Sequence, residues 1–261
     1  MVGTASTVTA FLLVECEGPW GIDAMRDSRL PQEVKRWMRS REGIRPLLIR
    51  RGPTKHPRVF LSRGGRVTTI ELDSITQLPD IDLEHDPSTY DGQLFLVCTH
   101  GRHDVCCAER GRPLWKELQR VAPDETWQVS HIGGDRFAAN VLVLPHGLYY
   151  GRIDPDDAES FVETHRAGQL DLDHLRGRSA YPFEVQAAEV FLRRELGETD
   201  VRPLPIRDSN GVRTTFEVGD RAFEVEVERR TTSEVLTCRS DAAGAGWTFH
   251  PVAVREVRGH G

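Results

Sequence analysis

The chain has 261 residues, 28% of them charged and 38% apolar, and a formal net charge of −6. That length can bury one large core or two modest ones, and the balance excludes a disordered chain. The acidic charge argues against non-specific nucleic-acid binding; it is ordinary for a cytosolic protein and would also suit a partner with a basic surface. No apolar run approaches the roughly 20 residues that a membrane helix needs, so no membrane is expected. Residues Met1 to Ala10 lack a basic n-region, so no secretory leader is expected either. Five cysteines at uneven spacing do not make a secreted disulfide framework. A reducing cytoplasm is the expected compartment.

In chain order, Thr9 to Glu15 (TAFLLVE) reads as a strand running into the turn Gly18-Pro-Trp20-Gly21. Pro31 opens a helix with Val34, Trp37 and Met38 on one face. Ile44 to Ile49 is a short apolar strand. Val59 to Ser62 and Val67 to Leu72 flank Arg63-Gly64-Gly65, a hairpin signal. The acidic stretch Asp73 to Asp91, with Pro79 and Pro87, reads as a linker or crossing loop. The same order then returns. Leu94 to Cys98 is a strand, Pro113 to Ala122 a helix with Pro113 at its first position, and Thr126 to Ser130 a strand. Ala138 to Leu144 and Leu148 to Ile153 flank the hairpin signal Pro145-His146-Gly147. The opening strands are alike, FLLVECEG against LFLVCTHG, so the chain contains a β-α-β-β-β unit twice. With Gly18 matched to Gly101, Cys16 falls opposite Thr99, and the first unit lacks the second's cysteines. The first is therefore expected to be a scaffold.

Asp154-Pro155 starts a helix with Ala158, Phe161, Val162 and His165 inward. Arg176-Gly-Arg178-Ser-Ala-Tyr-Pro182 leads into a second helix with Val185, Ala188, Leu192 and Leu196 on one face. Strands follow at Thr214 to Val218, Ala222 to Glu228, Val235 to Cys238 and Trp247 to Val254. The expected fold is α/β (α+β), in three parts: residues 1–90, 91–168 and 169–261.

The chemistry concentrates in Leu94-Phe-Leu-Val-Cys98-Thr-His100-Gly-Arg-His103-Asp104-Val-Cys106-Cys107, which holds three of the five cysteines. A lone buried cysteine is usually a small hydrophobe, which is how Cys16 and Cys238 read. Three thiols beside a histidine-bearing loop suit zinc, an iron–sulfur cluster or a thiol-redox site. Cys98 and Cys107 stand nine apart, a wider grip than the tight Cys-x-x-Cys hook of zinc sites and better suited to a two-iron core. A second hook lies at His131-Ile-Gly133-Gly134-Asp135, where the glycines let backbone approach an inorganic core and offer N–H groups to it. The thioredoxin Cys-x-x-Cys motif is absent. Gly64-Gly65 and Gly133-Gly134 do not fit a phosphate loop or a dinucleotide fingerprint.

Cys98-Thr-His-Gly-x-x-Asp-x-Cys-Cys107, followed by His131-x-Gly-Gly-x-x-Phe137-Ala-x-Asn140, resembles the sucrase/ferredoxin-like family, which is similar to the thioredoxin-fold [2Fe–2S] ferredoxins. FLLVECEGPWG, LPHGLYYGRI and LRGRSAYPFEVQAAE extend the resemblance over most of the chain. It implies two thioredoxin-like modules, with a [2Fe–2S] cluster in the second. It also implies one ligand pair from the Cys98 loop and one from the His131 loop. In fungal members the second pair is His-x-Gly-Gly-His; here the last position is Asp135. The expected ligands are thus Cys98, Cys107, His131 and Asp135. Cys106, His100, His103 and His146 are alternatives for the fourth place, and a labile or absent cluster is the remaining reading. Cys106 reads as a packed spare, and His100 and His103 as bracing or surface residues. The function implied is one-electron transfer or redox sensing with a partner such as a reductase or an oxygenase, rather than catalysis by the chain itself. The competing readings are a thiol-redox enzyme using Cys106 or Cys107, and a non-catalytic zinc-binding or interaction protein. No carboxylate pair suggests a glycosidase.

Overall fold

The computed structural model describes residues 1–232 and 246–257. The expected strand from Val235 to Cys238 lies outside the described residues. The protein is mixed α/β. Strand β1 (Ala10–Glu15) leads through one helical turn, α1 (Ala24–Asp27), to helix α2 (Gln32–Arg39). Strands β2 (Arg45–Arg50), β3 (Arg58–Arg63) and β4 (Arg66–Glu71) follow, and a two-residue strand, β5 (Ser88–Thr89), edges them. The second series is β6 (Leu94–Cys98), α3 (Val105–Val121), β7 (Thr126–Val129), β8 (Asn140–Leu144) and β9 (Leu148–Gly151). Helix α4 (Ala158–Arg166), strand β10 (Leu175–Arg178) and helix α5 (Phe183–Leu196) come next. Strands β11 (Ile206–Ser209), β12 (Arg213–Val218), β13 (Arg221–Thr232) and β14 (Gly246–Val257) close the chain.

One ten-stranded sheet runs β10-β9-β8-β6-β7-β2-β1-β3-β4-β5, and a four-stranded sheet runs β11-β12-β13-β14. In the first half β1 pairs β2 in parallel and β3 antiparallel, and β3 pairs β4. In the second half β6 does the same with β7 and β8, and β8 pairs β9. The halves meet through β2 and β7, antiparallel, over the pairs Ile49–Val129 and Arg50–Gln128. Strands β1 and β6 are central, and every residue of each is buried. That is why they read as apolar runs rather than as alternations. Along β6, Phe95 and Val97 pack with Leu114 and Leu118 of α3, while Leu94, Leu96 and Cys98 pack with Trp127 on the other face.

Several expectations change. Helix α3 begins at Val105, so Pro113 lies inside it rather than at its first position. The start is fixed by Asp104, whose side chain accepts from Cys106 N–H at 2.9 Å, and the cysteine pair therefore sits on the first helical turn. Asp73 to Asp91 is more than a linker: Ser74 caps a short 3-10 helix, Ile75–Asp80, with Leu78 buried. Strand β11 is additional, and β10 joins the large sheet beside β9. Helix α5 buries more than one apolar face, because Glu189 and Arg193 are inside as a 2.9 Å ion pair.

Candidate metal centre

Strand β6 delivers Cys98 to the mouth of the loop that Asp104 closes. Gly111, one helical turn further into α3 than Cys107, lies against the Cys98 carbonyl, where any Cβ would collide. This glycine lets α3 approach the strand end and bring Cys107 back over Cys98. Both thiols are free and 1% exposed. After β7 the chain turns through Gly133 and Gly134, at φ 97° and 82°, into a 3-10 turn, Asp135–Phe137. Left-handed backbone of this kind favours glycine, and a Cβ on Gly134 would also strike the Arg176 guanidinium. The turn sets Asp135 against His131, which faces the thiols.

The ligand atoms of Cys98, Cys107 and His131 all lie within 4.8 Å of one another, as do those of His103, His131 and Asp135. His131 Nδ1 is 3.9 Å from Cys107 Sγ and 3.2 Å from Asp135 Oδ1. The Asp135 side chain is 2% exposed and its Oδ1 makes no hydrogen bond. A buried carboxylate oxygen without a donor is costly unless a cation completes it. Bonds of about 2.0–2.1 Å to one tetrahedral metal set neighbouring N and O ligand atoms about 3.3 Å apart, so His131 Nδ1 and Asp135 Oδ1 already stand as two ligands of one ion would.

The protonation pattern fits the same picture. The Cys98 thiol is pulled well below its ordinary value, first by a hydrogen bond from Cys107 and then by His131, against the opposing effect of burial. The Cys107 thiol is pushed up by that same bond and by burial. One thiolate therefore forms easily, and the second proton stays until something more positive replaces it. Burial pushes Asp135 up to about 6; His131 opposes this, and neighbouring Asp104 adds to it.

Two further histidines frame the site. His100 Nε2 lies 2.8 Å from Gly21 O. A carbonyl only accepts, so Nε2 carries the proton, and Nδ1 accepts from His131 N–H at 3.2 Å. With both ring nitrogens engaged and the ring edge-on to Trp20 at 5.7 Å, His100 braces the site instead of ligating. His103 stacks on His131 with centroids 3.9 Å apart, and its Nδ1 donates to Ile22 O at 3.3 Å. Cys106 carries no free thiol, which removes it as a ligand. His146 is not brought to the site: it sits in the β8–β9 turn, beside Leu144, which pairs with Leu94 at the far end of β6 from Cys98. Its backbone carbonyl accepts from Arg178 there.

Sequence reasoning gave no role at the site to five residues that support it. Gly21 and Ile22 act through backbone carbonyls, which leave no residue-type signal. Arg45 reaches from β2 to the Tyr149 hydroxyl and the His131 carbonyl, both at 3.3 Å. Arg176 and Asn140 hold the carbonyls of Gly133 and Gly134. A cavity of about 260 Å³ opens beside His131, Gly133 and Asp135, with Phe183 and Trp247 on its far wall.

Comparison with known proteins gives the following likenesses. The chain is 30% identical over 118 residues to altered inheritance of mitochondria protein 32 of Meyerozyma guilliermondii, covering 41% of this chain and 42% of that protein. It is 32% identical over 95 residues to the protein of the same name from Clavispora lusitaniae, covering 33% and 35%. The match thus spans less than half the length of these curated relatives. Among solved structures, a thioredoxin-like [2Fe–2S] ferredoxin from Aquifex aeolicus aligns at 19% identity and a TM-score of 0.32, over 36% of this chain and 97% of that one. The family profile described as sucrase/ferredoxin-like matches residues 1–177. That stretch holds both halves of the large sheet, the paired thiols and the glycine-hinged loop, and the chain belongs to the sucrase/ferredoxin-like family.

Proposed function

We propose that the protein holds a [2Fe–2S] cluster and serves as a one-electron carrier or redox sensor. The observation that carries this reading is the buried gathering of two free thiols with the His131 imidazole, beside a buried Asp135 carboxylate 3.2 Å from that imidazole. Cys98 and Cys107 would hold one iron; His131 and Asp135 would hold the other. A cluster so held supplies reversible one-electron transfer. Every other role falls to the chain. Burial of both sulfurs at 1% exposure keeps water from them. The easily ionised Cys98 thiol provides the first anionic ligand. Asp135 adds a negative charge that an imidazole would not, and so lowers the reduction potential. His103 and His100 orient His131 by stacking and by accepting its backbone N–H. His131, at 21% side-chain exposure, is the ligand nearest solvent and the natural point of electron exit.

In this reading residues 1–90 are a scaffold module, 91–168 the ferredoxin module, and 169–261 an added α+β segment. The partner is a redox protein such as a reductase or an oxygenase, and the setting is a reducing cytoplasm. Among the described residues no helix is long and apolar enough to cross a membrane. Protein purified or reconstituted without oxygen should be red-brown. It should carry roughly two irons and two acid-labile sulfides per chain and give a paramagnetic signal on reduction. Colourless protein without sulfide overturns the reading.

One observation favours a second reading, a single structural zinc. The 3.9 Å between Cys107 Sγ and His131 Nδ1 is the spacing of neighbours on one ion, and a two-iron core must part the two ligand pairs further. Zinc without sulfide in the metal analysis would select it. The thiol-redox reading fares worse. Cys106 has no free thiol, Cys107 is pushed towards the protonated form, and the easily ionised Cys98 is sealed from solvent.

A further inference from the structure

Arg176, on strand β10, is 1% exposed and among the largest fully buried side chains. Its guanidinium donates to Thr4 Oγ1 at 3.1 Å, Thr4 O at 2.6 Å, Gly133 O at 3.0 Å and Asn140 Oδ1 at 2.8 Å. All of these acceptors are neutral. The other buried arginines, Arg178 and Arg193, converge on Glu189. A guanidinium taken out of water with only neutral groups on its N–H donors is a costly arrangement. The anionic groups near it, Asp135 and Cys98 among them, act through space and not as hydrogen-bond partners. The rings of Phe137 and Tyr149 stand 5.2 and 5.6 Å from its carbon and keep water away. Asn140 Nδ2 also donates to Gly134 O at 2.8 Å. Arg176 and Asn140 together thus pin both glycine carbonyls of the loop that carries His131 and Asp135.

We infer that Arg176 is the counter-charge built in for the anionic metal centre, and that it raises the centre's reduction potential while fixing the glycine loop. This rests on the cluster reading above. Two thiolates and a carboxylate outweigh the roughly +2 of an oxidised two-iron core by about one negative charge, and reduction adds one more. A fixed cation in a low-dielectric setting favours the reduced form more than the oxidised one. Burial lowers the Arg176 pKa to about 10, so it stays charged at neutral pH; Asp135 and Cys98 are among the anionic groups that help keep it so. Arg176 is a positioning residue: it acts on the metal centre through its field and through the Gly133 carbonyl.

The test is potentiometric titration of the loaded protein, followed by paramagnetic resonance, in four forms: wild type, Arg176→Lys, Arg176→Gln and Asn140→Asp. Arg176→Gln should favour the oxidised form at least tenfold, a fall of about 59 mV for one electron. Arg176→Lys keeps the charge and should stay within threefold of wild type. Asn140→Asp leaves Arg176 in place but pairs it with an acid, and should move the potential down as Arg176→Gln does. A midpoint unchanged in Arg176→Gln overturns the inference. So does loss of iron from both Arg176 variants with unchanged circular dichroism, because the geometry of the fork and not its charge would then be what matters. Wild-type protein that takes up neither iron nor sulfide fails earlier and differently: it removes the cluster reading itself.

Discussion

Both halves of the large sheet turn from a fully buried strand into a loop and then a helix, yet they fill that bend with opposite chemistry. In the first half, Cys16 follows β1, and burial pushes its thiol up. Lys35, from α2 and 3% exposed, reaches back to the carbonyls of Arg26 at 2.8 Å and Ser28 at 2.6 Å. The bend is closed by a cation tethered to the chain. In the second half Cys98, Cys107 and His131 gather at the bend, and Asp135 stands beside His131. Connectivity alone therefore does not decide the chemistry of the bend. The same turn seats a lysine ammonium on backbone carbonyls in one half and gathers thiols beside an imidazole in the other.

The sharpest way to break this contrast is to remove a sulfur from each half. Cys98→Ser should abolish iron and sulfide binding, whereas Cys16→Ser should leave their stoichiometry unchanged; metal loss from both would show that the first half is not a scaffold. A second measurement reads an imidazole of the second half that lies away from the thiols. His165 is fully buried, neither ring nitrogen has a hydrogen-bond partner, and burial lowers its pKa to about 4. The unfolded chain, near 6.5, binds the proton first as pH falls. Stability is therefore complete at neutral pH and is lost from about 6.5 down to about 4, by about 3 kcal/mol in all. Urea denaturation across that window should show the loss in wild type and a shallower one in His165→Phe. Third, Asp135→His should raise the midpoint potential, on the order of 100 mV, because neutral imidazole replaces an anionic ligand; redox titration giving an equal or lower value would count against Asp135 as a ligand. Fourth, Lys35→Met should strand the buried Ser28 carbonyl, release that of Arg26, and cost about 2 kcal/mol, a fall of about 4–8 °C in Tm, with iron content unaltered. A loss of iron in that variant would tie the plug in one half to the cage in the other.

Much of this was legible in the sequence because it was written in local pattern. The run LFLVC announced a strand buried on both faces, the repeated order announced a doubled sheet, and His131-x-Gly-Gly-Asp135 announced a hinged loop facing the thiols. What was not legible depended on packing. Pro113 drew the start of α3 to itself, although Asp104 ahead of Val-Cys-Cys is the stronger cap and sets the helix eight residues earlier. His146 looks like any other candidate ligand until the hairpin carries it to the wrong end of β6. Arg176 lies 41 residues beyond Asp135, in a stretch that reads as the approach to a helix and as part of the family resemblance. Nothing in its neighbours says that its guanidinium would end under Gly134.

The seam between the halves carries a further consequence. Two residue pairs join β2 to β7, and Ser130, just past β7, adds a backbone and a side-chain hydrogen bond to Leu48. Arg45 straps across the join to the His131 carbonyl, and the loop at Gly21 and Ile22 holds the imidazoles of His100 and His103 from the other side. A tilt of one half against the other is thus a mechanical pull on His131 and on the two histidines that frame it. Excision of the second half alone would leave a cage whose outer hinges have been cut.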